Sequence, residues 1–220
     1  MGFSSPTAKK INKMIKVVVF DCDGVLFNTI EANRQFYNQI LKHFKKPLLK
    51  EKDMEMVTMM TVDESLNYLF RDDPRIEEAK IFRKEIDYRP FFKYIFPEPN
   101  LLNLLDKLKG KVYLAVCTNR SNTIIPLLKS KDIYNYFDMV VSSLDVKNPK
   151  PDSEPIQLIM SHFSIQPNEL LFIGDSTIDE KTAKNSGVVF VAYKNKSLTA
   201  SYHIDDLLKV IDILQKEEMK

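Results

Sequence analysis

The chain has 220 residues, 44% hydrophobic and 28% charged, a size and balance that suit one globular domain or a core with a smaller insert. With 32 basic against 30 acidic residues the formal net charge is +2, so charge gives no reason to expect a nucleic-acid partner. Only two cysteines occur, Cys22 and Cys117, each at the end of an apolar run, which excludes a disulfide framework and a paired-cysteine zinc site.

Residues 1–13 read as a flexible tail without the apolar segment of a secretory signal. Gly2 stands where a myristoylation signal would begin, but Pro6 occupies the place where Ser or Thr is wanted. No apolar run approaches membrane-spanning length, so a reduced, cytoplasmic protein with no membrane partner is expected. Val17-Val18-Val19-Phe20, three of them β-branched, predict a short strand of the fully buried, parallel kind. It runs straight into Asp21-Cys22-Asp23-Gly24. Thr29 is placed to cap a helix from Ile30, along which Phe36, Tyr37, Ile40, Leu41 and Phe44 recur at helical spacing until Pro47. Further helical patterns cover about 52–60, 63–70 and 75–88, with Asp63 and Asp73 as their starts. Met54, Met56, Met59 and Met60 read as gap-filling side chains between these helices. The aromatic segment Phe91–Phe96, bounded by Pro90 and Pro97, reads as a return hinge packing onto the core. No strand-like run interrupts 30–96, which is therefore expected to be an all-helical insert.

From Glu98 the pattern alternates. A helix over 98–109 ends at Gly110, the strand 112–116 follows, and a helix over 121–130 leads to the strand 139–141. A helix over 153–163, the strand 170–173, a helix to Gly187, the strand 188–191 and a helix from Asp205 complete the chain. Such alternation predicts an α/β fold, a doubly wound parallel sheet with right-handed crossovers and helices on both faces. The expected division is a core of 14–29 and 97–220 with a small helical domain at 30–96.

In such a sheet, ligands bind beyond the carboxyl ends of the strands. Asp21 and Asp23 stand there, and their i, i+2 spacing in extended chain turns both carboxylates to one side. Two carboxylates that close require a cationic partner, a shared proton or a metal ion. The second strand end delivers Thr118 and Asn119, a hydroxyl and backbone amides suited to phosphate oxygens. Lys147 and Lys150 follow the third, with Lys150-Pro151 just ahead of a helix. The fourth delivers Gly174-Asp175 and, one turn on, Asp179, which supplies enough carboxylates for Mg²⁺. Read one at a time, these are a polar turn, a helix cap, a solvated lysine and a capping turn. Four strand ends carrying them in this order argue for one site.

The set Asp21-x-Asp23-Gly24-Val25, Thr118-Asn119, Lys150-Pro151 and Gly174-Asp175-Ser176-x-x-Asp179 resembles the four motifs of the haloacid dehalogenase superfamily of hydrolases over about 16–195. The insert at 30–96 resembles the small helical cap of its phosphoglycolate-phosphatase-like members. The resemblance implies a Mg²⁺-dependent phosphomonoester hydrolase acting on a small phosphorylated metabolite through an aspartyl-phosphate. In that reading Asp21 is the nucleophile and Asp23 the general acid and base, while Lys150 orients Asp21. Asp21, Asp175 and the Asp23 carbonyl hold the metal, with Asp179 a direct or indirect acidic contact. Thr118 and the Asn119 amide grip phosphoryl oxygens, and Arg120 could reach an acidic substrate group. Halide-displacing members lack the second acid, so Asp23 points to phosphate chemistry. Sugar-phosphate mutase relatives share Asp-x-Asp-Gly-Val but place a histidine where this chain has Asn33; the mutase reading stays as the alternative, with a non-catalytic phosphometabolite-binding protein behind it. Asn28 replaces a frequent acidic residue. The insert is expected to close over the site, with Arg34, Lys42 and Arg89 as its candidate contacts. Nothing in the sequence selects between a monomer and a homodimer.

Overall fold

The apolar run predicted as the first strand forms one, Val17–Phe20 (β1), with all four residues fully buried. The structure is a computed structural model that describes residues 15–57 and 60–219; the tail at 1–13, with Gly2, lies outside the described residues, as does Met59. After β1 come a two-residue strand, Phe27–Asn28 (β2), and the helices Ile30–His43 (α1), Glu51–Val57 (α2), Val62–Leu69 (α3) and Ile76–Glu85 (α4). A 3₁₀ turn over Arg89–Tyr94 leads to Phe96–Pro97 (β3), which pairs antiparallel with β2. The remainder runs Leu101–Leu108 (α5), Tyr113–Cys117 (β4), Ile124–Ser130 (α6), Met139–Val141 (β5) and Glu154–Phe163 (α7). It ends with Leu170–Gly174 (β6), Thr177–Ser186 (α8), Val189–Tyr193 (β7), Tyr202–Ile204 (β8) and Lys209–Glu218 (α9).

The chain divides into two units. The first takes the chain up to Val25, Pro99–Ser121 and everything from Asn135. It holds a six-stranded sheet in the order β5-β4-β1-β6-β7-β8, parallel at every pairing. β1 is central: Phe20 lies opposite Val116 of β4 and Ile173 of β6. Alternate residues explain why the strands carry no polar side. Val17, Val19, Cys117 and Phe172 pack on one face with Ile156 and Ile159 of α7 and Ala183 of α8, while Val18, Phe20, Val116 and Ile173 on the other face are equally buried. Each such side chain contributes about 1.5–3 kcal/mol by leaving water. That burial is what makes the strand ends a rigid rim. The strand β8 was not predicted: it has only three residues, and His203 is exposed. The last helix begins at Lys209 rather than Asp205, because the Asp206 carboxylate first accepts the Leu208 amide in a turn.

The second unit takes Leu26–Glu98 and Asn122–Tyr134. The sequence assigned 122–134 to the core; here α6 groups with the helices, and Lys131 Nζ donates to the Phe92 carbonyl at 2.9 Å. The helix α1 buries Ala32, Phe36, Tyr37, Ile40 and Leu41, and Phe36 meets Tyr88 and Phe91 ring to ring. The aromatic return segment thus packs on α1 of its own unit. Thr29 stands at the start of α1 but its side chain makes no capping bond; the Asn28 side chain accepts the Ile30 amide instead, at 3.1 Å. The helix α3 starts two residues earlier than Asp63 would set it, because Thr61 and Glu64 form a reciprocal capping box. Asp73 accepts the Arg75 amide in the turn ahead of α4. Met54 is buried as expected, whereas Met56 is exposed and Met60 half-buried. Among the described residues no helix is long and apolar enough to cross a membrane.

Candidate active site

Parallel strands in register end on one rim, and the sequence places a polar residue at each end. Asp21 continues the β1 ladder, its amide donating to the Ile173 carbonyl at 2.9 Å, before the chain turns at Gly24. Thr118 does the same for β4, donating to Val141 at 3.0 Å. β6 runs out at Gly174-Asp175, and Ser176 starts α8 through a capping box with Asp179.

The loop from β5 to α7 carries Lys150 into the middle of these carboxylates. Its Nζ donates to Asp21 Oδ1 and to Asp179 Oδ1, each at 2.6 Å, with the lysine side chain 4% exposed and that of Asp179 fully buried. Lys147, the other lysine of that loop, is exposed. Asp21, Asp175 and Asp179 each offer a carboxylate oxygen, and these oxygens lie within 4.8 Å of one another. One cation therefore faces three acids. Burial and then the Asp179 charge push the Asp21 carboxyl well above its usual range, with Lys150 pulling it back. Burial by itself would lower Lys150, but the Asp179 and Asp21 charges outweigh it and hold the ammonium protonated. Asp175 is pushed up to about 7, by burial first and the Asp179 charge second. Such a cluster has excess negative charge and oxygen donors only, the donor set that suits a hard divalent cation. Asp21 and Asp175 have oxygens to give it. Asp179 has both engaged, Oδ1 with Lys150 and Oδ2 with the Ser176 amide and hydroxyl, so it acts on the cluster chiefly by fixing Lys150.

Two glycines let these acids approach. A Cβ on Gly174 would fall 2.3 Å from the Asp179 Cβ. Gly24 has φ +79°, and a Cβ there would fall 2.0 Å from Asp175 Oδ2. Gly24→Ala is therefore expected to displace Asp175 and weaken divalent-ion affinity by at least about tenfold, measured by calorimetric titration. Unchanged affinity would mean that Asp175 takes no part in holding the ion.

Around this centre the expected residues fall as follows. Asp23 and Arg120 face each other in a two-pronged ion pair, Nε to Oδ2 at 2.8 Å and a terminal nitrogen to Oδ1 at 2.7 Å. Thr118 is buried, and its hydroxyl oxygen accepts the Arg120 amide at 3.1 Å. Asn119 donates through its side chain to the Lys150 carbonyl at 2.9 Å, tying the second strand end to the lysine loop. Asn195, not singled out in the sequence, donates to the Asp175 carbonyl at 2.8 Å; its signal was only a polar residue in the loop after β7. Ser143, equally unforeseen, donates through its amide to the Arg120 carbonyl at 3.1 Å. The thiols of Cys22 and Cys117 are core groups: burial pushes Cys22 well up and Cys117 to about 12. Within the helical unit, Arg34 pairs with Glu31 and Glu51, Arg89 with Asp87, and Lys42 is exposed.

Comparison with known proteins places the chain as a whole. The family model of haloacid dehalogenase-like hydrolases matches residues 18–193. A phosphoglycolate phosphatase of Salmonella typhi is 32% identical, the alignment covering 90% of this chain and 87% of that protein. The pyrophosphatase PpaX of Bacillus velezensis is 27% identical, covering 92% of this chain and 96% of its own length. Among solved structures, a haloacid dehalogenase-superfamily hydrolase of subfamily IA from Geobacter sulfurreducens superposes with a TM-score of 0.82 at 37% identity, covering 94% of this chain and all of that one.

Proposed function

We propose, from the premise that the chain belongs to the haloacid dehalogenase-like hydrolases, that it is a Mg²⁺-dependent phosphatase hydrolysing a small phosphorylated metabolite. The observation that carries this reading is Lys150, buried between Asp21 and Asp179 with Asp175 beside them and Asp23 on the same rim. Phosphoryl transfer asks for positioned groups that neutralise spread negative charge.

Asp21 is the nucleophile. Its free oxygen attacks phosphorus while Lys150 holds the other, and the bond from phosphorus to the leaving oxygen breaks. Asp23 gives its proton to that oxygen. In the second half a water attacks the aspartyl-phosphate, Asp23 takes the water's proton, the phosphorus–Asp21 bond breaks and inorganic phosphate leaves. Thr118 and the Asn119 amide orient the phosphoryl oxygens. Asp21, Asp175 and the Asp23 carbonyl would hold the metal, which supplies charge neutralisation at the phosphoryl group. The alternative of a sugar-phosphate mutase gains nothing from the helical unit: Asn33, at the position of the mutase histidine, accepts a hydrogen bond from the Tyr88 hydroxyl at 2.7 Å. Hydrolysis of 4-nitrophenyl phosphate with Mg²⁺, followed by a panel of metabolite phosphates, tests the reading. Conversion of a hexose 1-phosphate to its 6-phosphate, with no free phosphate, would favour the mutase.

The raised carboxyl of Asp175 has a measurable consequence. Its folded-state value of about 7 lies above the ordinary 3.8, so the folded chain binds the extra proton between those values. The stability this gives the metal-free protein is present below about 4 and lost as pH rises through about 7. A divalent ion competes for the same oxygens. Saturating Mg²⁺ is expected to raise the melting temperature by about 5–10 °C at pH 8 and by little at pH 5, relative to protein in EDTA. A Mg²⁺ shift equal at both pH values would contradict it.

A further inference from the structure

The Asp23–Arg120 ion pair is not used by the reaction as written. Both Asp23 oxygens accept from the guanidinium, at 2.8 and 2.7 Å. A carboxylate in that posture faces the arginine, whereas a general acid must present a protonated oxygen to the leaving group. Arg120 itself is fixed. Its amide donates to Thr118 Oγ1, its carbonyl accepts from the Ser143 amide, and its side chain is only 10% exposed while that of Asp23 is 40% exposed. Of the two partners, Asp23 is the one with room to move. Swinging it away with nothing in its place would take from a nearly buried guanidinium its two-pronged anionic partner, the costly way to break an ion pair. Swinging it away in exchange for another anion keeps the fork satisfied, since a planar carboxylate or a pair of phosphate oxygens fits a guanidinium equally well.

We propose that Arg120 reads a second anionic group on the substrate, which takes the place of Asp23 on the guanidinium and frees Asp23 for proton transfer. This rests on the phosphatase reading above and narrows it. The substrate class is a small phosphomonoester or phosphoanhydride with a carboxylate or second phosphate close to the scissile bond. Arg120 is then both a recognition residue and, through Asp23, a positioning residue for the acid–base step. A second anion should act on kcat as well as on KM, because it releases a catalytic group in addition to adding a contact.

The test compares 2-phosphoglycolate and pyrophosphate, which carry a second anion, with ethyl phosphate, which has an unactivated leaving group and none. The wild-type chain is expected to favour the first two by at least about tenfold in kcat/KM, with part of the difference in kcat. Arg120→Ala should lower kcat/KM on the second-anion substrates at least about tenfold more than on ethyl phosphate, collapsing the preference. Arg120→Lys keeps the charge without the fork, and should move the ratio the same way. It carries the test if the alanine variant does not fold, as judged by its melting curve. Parallel losses on all three substrates, or a wild-type enzyme without the preference, overturn the proposal. Failure of the underlying reading looks different: 4-nitrophenyl phosphate hydrolysis would then survive Asp21→Asn, whatever Arg120 does.

Discussion

Asp21→Asn is expected to lower turnover of any phosphomonoester by about 10³-fold or more, while leaving the protein folded and, without metal, more heat-stable at neutral pH. The catalytic loss follows from chemistry: an amide oxygen can accept the Lys150 hydrogen bond but cannot attack phosphorus to form an acyl phosphate. The stability gain follows from electrostatics. Burial and the Asp179 charge raise the Asp21 carboxyl, so ionising it at pH 7 works against folding. Asn imitates the neutral acid. The gain should therefore shrink on acidification towards the ordinary carboxylate value, below which this side chain is protonated in the wild-type folded and unfolded chains alike. Initial rates with 4-nitrophenyl phosphate and melting curves in EDTA at pH 7.5 and pH 4 check both halves. Retained turnover would remove Asp21 from the chemistry, and a lower melting temperature at both pH values would mean that the cluster is a net stabiliser.

Lys150→Met should do the opposite to stability and the same to activity. It leaves Asp21, Asp175 and Asp179 facing one another without their cation. Removing one partner of a buried ion pair costs about 3–5 kcal/mol, which for a chain of this length lowers the melting temperature by roughly 10 °C. Without the ammonium the carboxyls hold their protons to higher pH, so the destabilisation should deepen as pH rises from 5 to 8. Mg²⁺ can replace part of the missing charge and should restore some of the melting temperature. It should not restore turnover, expected to fall by about 10²–10³-fold, because Asp21 loses the donor that fixes its orientation. A variant with wild-type turnover would reduce Lys150 to a structural counter-ion.

The two variants are expected to diverge because the cluster sets three acids around the single ammonium of Lys150. Asp179 shows how this is managed. Its oxygens are committed to the start of α8 and to Lys150, so the lysine is anchored to a helix end as well as to Asp21. The Asn119 side chain anchors the same loop from the other side, at the Lys150 carbonyl.

Much of this was legible in the linear chain. Val17–Phe20, Tyr113–Cys117 and Leu170–Gly174 announce themselves because apolar runs of that length, stopped by Asp, Thr or Gly, have few ways to be buried other than as central parallel strands. Once they are parallel neighbours, Asp21, Thr118 and Asp175 must share a rim, and the candidate residues follow from local pattern plus one topological rule. Other features were out of reach. β8 is too short to show a period, the Thr61 capping box shifts a helix start that Asp63 would equally serve, and 122–134 reads as part of the alternating core although α6 groups with the helical unit.

The sequence by itself, then, determined the kind of fold and which residues would gather at its rim, because strand burial and turn chemistry are set by near neighbours. Only the tertiary structure decided who pairs with whom there: Lys150 with Asp21 across 129 positions and with Asp179, Arg120 with Asp23 across 97. A charged side chain at a strand end has several partners within reach. Which one it takes depends on rotamers, desolvation and the directions of loops brought together from distant parts of the chain, and no local pattern encodes those.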